Sequence, residues 1–393
     1  MPRFQPFPGV RYDVNKVRLD DVIAPPYDVV DAAGRDGLAA RDRHNAIVVE
    51  LPADDASRGL GRYEAAARTF DEWIAAGVLT VDATPSFYVY RMRFVDEEGN
   101  PRHTLGVVGA LEVEEPGSGD VLPHEETMPK PKGDRIDLLR ATRMNTSPVW
   151  GLSLARGLSA LIEPSSPPAA HAVDDDGVGH ELWRIDDPAT VAAVAETVAA
   201  APVVLADGHH RYETAFAYRN ERRAANGSKA GDFDQVMAFV VEIAEDQLSV
   251  RAIHRLLRGL PDGFDLPGAL GELFEVVAGE VPPGALGLFT KDGSWRLTAR
   301  PVLIDKARDP ELDSSLVATA LAALPDHSVE YRAGRSDVLS AVETNEAQAA
   351  IVLRPVTVAK IAAMARERRR MPPKTTYFHP KPRTGMVFRP VPG

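Results

Sequence analysis

The residues best suited to chemistry in this sequence form one turn, Asp207-Gly-His-His-Arg211. A short apolar run from Val203 to Ala206 precedes the turn, and apolar residues at helical spacing follow it. The sequence therefore predicts a strand, a tight turn at Gly208 and a helix. Because glycine permits a sharp turn and the amides at a helix start attract anions, the turn is a candidate phosphate or metal site. The alternative is a capped helix with solvated polar residues.

A second segment combines acids and bases in close succession: His124, Glu125, Glu126, Lys130, Lys132, Asp134 and Arg135. Carboxylates at this density can ligate magnesium or act as a general base, while the cations can hold phosphate oxygens. The alternative is a solvated loop whose charges neutralise one another. Pro129 and Pro131 restrict the backbone and favour a preorganised site.

Further candidate side chains are dispersed along the chain: Tyr27, Asp28, His254, Arg255, Lys374, Thr375, Thr376 and Lys381. Asp28 follows a rigid Pro-Pro run and can orient the hydroxyl or amine of a small substrate. The pair His254-Arg255 either reaches a site or simply opens a helix. The sequence contains no Walker-type phosphate loop, no dinucleotide fingerprint and no Gly-x-Ser-x-Gly elbow, which disfavours conventional mononucleotide-binding and hydrolase classes.

Composition limits the class of protein. With 393 residues, 44% hydrophobic and 26% charged, the chain has the profile of a soluble globular protein of two or three domains. The absence of a long apolar run or an apolar N-terminal signal predicts a cytoplasmic protein without a membrane span. Lack of cysteine leaves any metal to oxygen and imidazole ligands. A net charge of −12 argues against a broad nucleic-acid-binding face.

The elements that must position these residues indicate a mixed α/β fold. The stretch Pro164–Gly177 is rich in Pro, Ser and Asp, which predicts a linker or a long surface loop, with an N-terminal α/β domain at 1–163 and a second domain at 178–393. The basic segment that begins at Arg366 is predicted to fold back onto the body. Apolar periodicity predicts strands over 45–52, 87–94, 104–113, 235–243 and 351–355, and helices over 59–76, 134–144 and 188–200.

Several stretches together resemble the family catalogued as domain of unknown function 1015: Ala24–Asp28, His124-Glu125, Lys130–Arg135, Ala206–Thr214, His254-Arg255 and Met371–Lys381. The Asp207 turn is similar to one in kinases of free serine that are built on the ParB/sulfiredoxin-like fold. The resemblance implies a ParB/sulfiredoxin-like core around this turn, with an additional mixed-sheet domain. Pro373 and Thr375 depart from the Gln and Ser expected in the terminal motif, although Thr375 keeps the hydroxyl.

The resemblance also implies a phosphotransferase that makes O-phosphoserine, with pyrophosphate, ATP or ADP as donor. Asp207, His209, His210 and Arg211 would then bind and polarise the transferred phosphoryl group. Phosphate contacts are expected from Gly208, Arg211, Lys130, Lys132, Arg135, His254, Arg255, Lys374, Thr375 and Lys381. Substrate contacts are expected from Tyr27, Asp28 and His124.

The leading hypothesis is a magnesium-dependent kinase of a small hydroxylated metabolite, L-serine first, with Asp207 and Asp134 as metal ligands. Glu125, Glu126 or Asp28 would accept the hydroxyl proton. One alternative is a phosphomonoesterase that uses the same anion site with water. Another is a ParB-like regulator that binds a nucleotide or DNA, which the acidic charge disfavours. The expected partners are the substrate and the phosphate donor, and a homodimer is the expected assembly.

Overall fold

Strands and helices alternate along the chain, and the mixed α/β class is confirmed. The computed structural model describes residues 1–115, 117–126 and 133–392. The strands are β1 (Phe4–Gln5), β2 (Val10–Tyr12), β3 (Leu79–Val81), β4 (Phe87–Val95), β5 (Pro101–Glu112), β6 (Val121–Pro123), β7 (Met144–Asn145), β8 (Val149–Ser153), β9 (Ala170–Val173), β10 (Gly179–Ile185), β11 (Val203–Asp207), β12 (Gln235–Glu242), β13 (Ser249–Arg258), β14 (Phe274–Ala278), β15 (Gly287–Thr290), β16 (Gly293–Ala299), β17 (Ser328–Ala333), β18 (Ala349–Val352), β19 (Thr376–His379) and β20 (Arg389–Pro390).

The α-helices are α1 (Leu19–Val22), α2 (Ala32–Arg41), α3 (Ile47–Glu50), α4 (Arg62–Ala75), α5 (Gly133–Thr142), α6 (Leu158–Leu161), α7 (Pro188–Ala199), α8 (His209–Ala225), α9 (Leu266–Leu270), α10 (Pro301–Lys306), α11 (Asp313–Leu321), α12 (Arg335–Glu343) and α13 (Val358–Arg366). Two short 3₁₀ helices cover Tyr27–Val29 and Asp232–Asp234. None of these helices combines the length and the hydropathy that a membrane crossing requires in the described part of the chain.

The described residues form two compact units. Those in 1–124, 129–249 and 380–393 form unit 1, and those in 125–128 and 250–379 form unit 2. The stretch Pro164–Gly177, predicted to be a linker, lies inside unit 1 because β9 pairs with β10, which in turn pairs with β4. The division therefore falls at other positions than the sequence suggests.

Unit 1 is built on a sheet with strand order β6-β11-β8-β12-β5-β4-β10-β9, and β1 pairs with β5. The long hairpin of β4 and β5 follows from the alternating aromatic and β-branched residues that the sequence predicts as strands. Strands β6 and β11 are parallel, with Val203 opposite Val121, so their carboxyl ends lie at the same sheet edge. Tyr212 and Ala215 of α8 and Val194 of α7 complete the apolar core over this sheet.

The last part of the basic C-terminal segment, from residue 380 on, belongs to unit 1, whereas its residues 366–379 belong to unit 2. Thr384 forms an isolated bridge with Ala24, and Phe388 does so with Val10. Strand β20 pairs with β7. These backbone bonds place Lys381, between β19 and β20, at a fixed position of unit 1.

Unit 2 contains a separate sheet with strand order β14-β16-β15-β18-β13-β17, and β19 pairs with β13. Leu257, Leu288, Ile351 and Val317 contribute to its apolar core. The prediction that His254 and Arg255 can open a helix is wrong, because both lie inside β13 and are bonded to its neighbours.

Two predicted elements differ in the structure. Residues 45–52, predicted as a strand, contain helix α3, and the Ile47 amide at its start donates to the Asn45 side chain. Apolar runs of this length cannot be assigned by periodicity alone. The predicted helix through Met144 ends at Thr142, and Met144 pairs in β7 instead.

Candidate functional site

The predicted turn joins β11 to α8 in unit 1. Gly208 has a φ of 84°, in the left-handed region that glycine adopts without strain, and α8 begins at His209. The register of β11 against β8 shifts between Leu205 and Asp207, and such irregularities re-aim the side chain that follows. Gly208 has no side chain to cap α8, and a helix start of this kind can bind an anion through its first-turn amides.

Asp207 holds two nearly buried cations at this turn. Its Oδ1 lies 2.7 Å from Lys381 Nζ, and its Oδ2 lies 2.7 Å from Arg211 Nη2. Lys381 also lies 3.3 Å from Oδ2 of Asp28. The side chains of Lys381 and Arg211 are only 10% and 11% exposed. The structure therefore brings together four residues that are separated by up to 353 positions in the chain.

These ion pairs set the charges of the turn. Burial by itself raises the pKa of the Asp207 carboxyl, but Lys381 and Arg211 outweigh burial and hold that pKa below its ordinary value. Burial lowers the pKa of the Lys381 ammonium, and the carboxylates of Asp207 and Asp28 more than reverse this, so the pKa is raised. Both groups are therefore charged at neutral pH, and the cations are available for phosphate oxygens.

Two imidazoles lie beside the turn. His124 follows β6, is 4% exposed, and donates from Nδ1 to the carbonyl oxygen of Leu205 at 2.5 Å. Since a carbonyl only accepts, the neutral His124 ring carries its lone pair on Nε2. The His124 and His209 ring centroids are 5.1 Å apart. His210, one residue further along α8, lies 3.9 Å from the Glu213 carboxylate.

Asp134 and Arg135 pair with each other in unit 1. Arg135 Nη2 lies 2.6 Å from Asp134 Oδ2, and the hydroxyl of Tyr63 donates to Asp134 Oδ1 at 2.9 Å. Arg135 also stacks over the ring of Tyr27 at 4.5 Å and donates to the carbonyl oxygen of Glu50. Burial raises the pKa of Asp134, but Arg135 outweighs it and lowers that pKa overall.

The predicted magnesium ligands do not fit a site built from protein groups alone. Both oxygens of Asp207 are paired with cations, and Asp134 is held by Arg135 and Tyr63. Within residues 1–115, 117–126 and 133–392, no three His, Cys, Asp or Glu side chains are placed to hold a metal ion.

The other predicted residues lie in unit 2 or outside the described chain. The Glu125 carboxylate accepts the backbone amides of Lys374, Thr375 and Thr376, the shortest at 2.6 Å. Glu126 forms an ion pair with Arg308 at 2.8 Å. Glu125 therefore anchors the 374–376 backbone in unit 2. Lys130 and Lys132 lie outside the described residues.

The side chains of His254 and Arg255 in β13 are buried. His254 Nδ1 accepts the backbone amide of Leu353, and burial, helped by Arg335 and Arg255, lowers the pKa of His254 to about 4. His254 is therefore neutral at pH 7 and can offer a phosphate only a neutral N–H. Burial lowers the pKa of Arg255 to about 10, so this guanidinium stays charged, stacked over the ring of Tyr331.

Sequence reasoning missed Glu50, which is fully buried at the end of α3. Its carboxylate oxygen Oε1 accepts the hydroxyl of Ser147 at 2.9 Å. The only signal was an acid inside an apolar run, Ile47-Val-Val-Glu-Leu51, which reads equally well as a strand end.

The sequence profile of one protein family matches residues 4–324. The chain belongs to the family described as Protein of unknown function (DUF1015). No curated protein matches this member of the family.

Solved structures of differently named proteins are similar to this family member. One is a free serine kinase in complex with AMP, with 13% identity, coverage of 69% of this chain and 88% of that chain, and a TM-score of 0.39. Another is SbnI with a C-terminal truncation from Staphylococcus aureus, with 15% identity, coverage of 71% of this chain and 86% of that chain, and a TM-score of 0.40. A conserved hypothetical protein from Pyrococcus furiosus has 14% identity, coverage of 68% of this chain and 90% of that chain, and a TM-score of 0.37. Similarity at this level establishes no shared activity. The ParB/sulfiredoxin-like core stays a prediction.

Gly208 offers a test of the turn itself. A Cβ at this position would lie 3.1 Å from Arg211 and from the Val149 backbone, at a φ that disfavours any side chain. Gly208→Ala is expected to lower the free energy of unfolding by about 2–4 kcal/mol, from the left-handed backbone and from crowding together. Urea denaturation measures this change.

The matched control is Gly227→Ala at the other end of α8. Gly227 has a φ of 71° but open space around its Cβ position. This variant is expected to lose only about 1–2 kcal/mol, the cost of the backbone conformation alone. Equal losses in the two variants would contradict a crowded turn at Gly208.

Proposed function

We propose that the protein is a phosphotransferase that transfers a phosphoryl group to the hydroxyl of a small metabolite, L-serine first. One observation carries the proposal: the Gly208 turn sets the start of α8 beside Lys381 and Arg211, two nearly buried cations. A helix start and two cations together form a binding site for a phosphate group. Phosphoryl transfer depends mainly on such positioning and charge neutralisation.

In the proposed reaction, the donor phosphate binds the first-turn amides of α8, Lys381 and Arg211. The serine hydroxyl oxygen forms a bond to the terminal phosphorus. The bond from that phosphorus to the bridging oxygen breaks, and the leaving phosphate keeps the electron pair. Asp28, 3.3 Å from Lys381, is the proposed acceptor of the hydroxyl proton.

Asp207 has a positioning role in this scheme. Its carboxylate holds Lys381 and Arg211 beside the turn before the donor arrives, so less free energy is needed to order them. A lowered pKa makes Asp207 a poor proton acceptor, which is why Asp28 takes that role. Because the described residues do not form a metal site by themselves, no step is assigned to a metal ion.

The direct test is to incubate the purified protein with L-serine, magnesium and ATP, ADP or pyrophosphate in turn. ³¹P NMR and mass spectrometry would detect O-phosphoserine. We expect product with at least one donor. Absence of product with all three donors removes the kinase proposal.

A phosphomonoesterase is the second candidate, because the same anion site can hold a phosphate ester for an attacking water and the imidazole of His124 lies beside the turn. Release of inorganic phosphate from O-phosphoserine without an acceptor would favour it. Tight, salt-sensitive DNA binding in a gel-shift assay would instead favour a regulator, against the net charge of −12.

A further inference from the structure

Glu50 carries a fully buried carboxylate that forms no ion pair with a residue that the structure describes. The hydroxyl of Ser147 donates to its Oε1 at 2.9 Å, and the amide of Tyr27 approaches the same oxygen at 3.4 Å. Its second oxygen, Oε2, has no hydrogen-bond partner among the described residues. A buried carboxylate oxygen without a hydrogen bond is strongly disfavoured, so a missing partner is expected.

A small cavity in unit 1 is lined by Glu50 together with Tyr27, Arg135, Ser147 and Arg211. Its volume is about 40 Å³. One water needs roughly 10–15 Å³ on the same measure, so the cavity has room for a small polar group.

Charged side chains line this cavity, and two of their polar atoms have no hydrogen-bond partner in the described chain. Arg135 is paired with Asp134, and Arg211 is paired with Asp207. Glu50 forms no ion pair with a described residue. The Nε of Arg211 is also buried and has no hydrogen-bond partner in the described chain. Glu50 Oε2 is thus an acceptor and Arg211 Nε a donor without a hydrogen bond in the described chain, although the two side chains attract each other electrostatically.

We propose that this cavity binds the zwitterionic head group of an α-amino acid, with the ammonium on Glu50 Oε2 and a carboxylate oxygen on Arg211 Nε. The inference rests on the proposed function and names the acceptor class as α-amino acids that carry a hydroxyl. Arg211 links the two places, since its Nη2 pairs with Asp207 and the residue also lines the cavity. An amino acid bound here has its side-chain hydroxyl directed toward the Gly208 turn.

The test measures binding without any donor, by isothermal titration calorimetry with L-serine and with 3-hydroxypropionate, which lacks the ammonium. We expect the wild-type protein to bind L-serine about 100-fold more tightly. Glu50→Gln is expected to weaken L-serine binding by about 100-fold and to change 3-hydroxypropionate binding less than about twofold. Equal binding of the two ligands by the wild-type protein overturns the proposal.

Controls separate this site from folding and from catalysis. Glu72→Gln, which removes an exposed carboxylate of α4, is expected to leave binding unchanged. Circular dichroism checks that Glu50→Gln folds; if it does not, the wild-type comparison of the two ligands still decides. Serine binding that depends on Glu50, without phosphoserine formation by any donor, would keep this site and remove the kinase. Phosphoserine formation that is unchanged in Glu50→Gln would keep the kinase and remove this site.

Discussion

Asp207→Asn is expected to reduce O-phosphoserine formation by about 1000-fold, the scale on which a preorganised charged group contributes to catalysis. The asparagine cannot balance Lys381 and Arg211, which lie 2.7 Å from the two carboxylate oxygens. The cations then repel each other and leave the positions that bind the donor phosphate. Steady-state kinetics with a coupled phosphoserine assay measure the loss.

The same substitution is expected to destabilise the fold by about 3–5 kcal/mol, because it leaves two nearly buried cations without their partner. The pKa of Asp207 is lower in the folded protein than in an unfolded chain. Its ionisation therefore stabilises the wild-type protein above about pH 4, and this contribution is lost as the pH falls through the lower folded value.

The pH dependence separates this effect from a local packing defect. The stability difference between the wild-type protein and Asp207→Asn should shrink as the pH falls from about 6 to about 2. Urea unfolding at a series of pH values measures it. A difference that stays constant over this range would show that the charge of Asp207 is not what stabilises the turn.

Lys381→Met is expected to raise KM for the phosphoryl donor by about 30- to 100-fold, the loss of one charge-assisted hydrogen bond to a phosphate oxygen. Methionine keeps the length and apolar stem of the side chain but leaves Asp28 and Asp207 facing the donor without the ammonium. The KM for L-serine should change much less, because Lys381 is assigned to the donor.

Two comparisons make this prediction specific. Lys381→Arg keeps the charge and should recover part of the donor affinity. Lys16→Met removes a surface ammonium that donates to the Ala76 carbonyl and should leave both KM values unchanged. An equal rise in the serine and donor KM values for Lys381→Met would contradict the assignment.

The strand, turn and helix around Gly208 were predictable because each step has a local cause. The apolar run Val203–Ala206 predicts a buried strand, and Gly208 supplies the only side-chain-free residue at the turn. Gly227 also takes the positive φ that ends α8, as its position after the apolar periodicity predicts. The β4–β5 hairpin follows from alternation in the same way.

The partners of Asp207 were only partly predictable. Lys381 stood out as a cation in a basic terminal segment, but nothing local indicates that it pairs with both Asp28 and Asp207. That contact depends on the terminal strand pairing of residues 384–390 with unit 1, a long-range event that periodicity does not encode.

Glu50 and Glu125 show why side-chain roles are harder to predict than elements. The run containing Glu50 reads as a strand, and only the tertiary fold buries its carboxylate in a polar cavity. Glu125 has the composition of a general base, yet its carboxylate accepts three consecutive backbone amides in unit 2. Composition identifies the acid, and the backbone around it determines what the acid contacts.

The most direct test of a phosphate site at the Gly208 turn is a crystal structure of the protein with pyrophosphate and L-serine. The account predicts phosphate oxygens within hydrogen-bonding distance of the His209 and His210 amides and of Lys381 Nζ. Pyrophosphate bound elsewhere, with no anion at the start of α8 or within hydrogen-bonding distance of Lys381 Nζ, would contradict it.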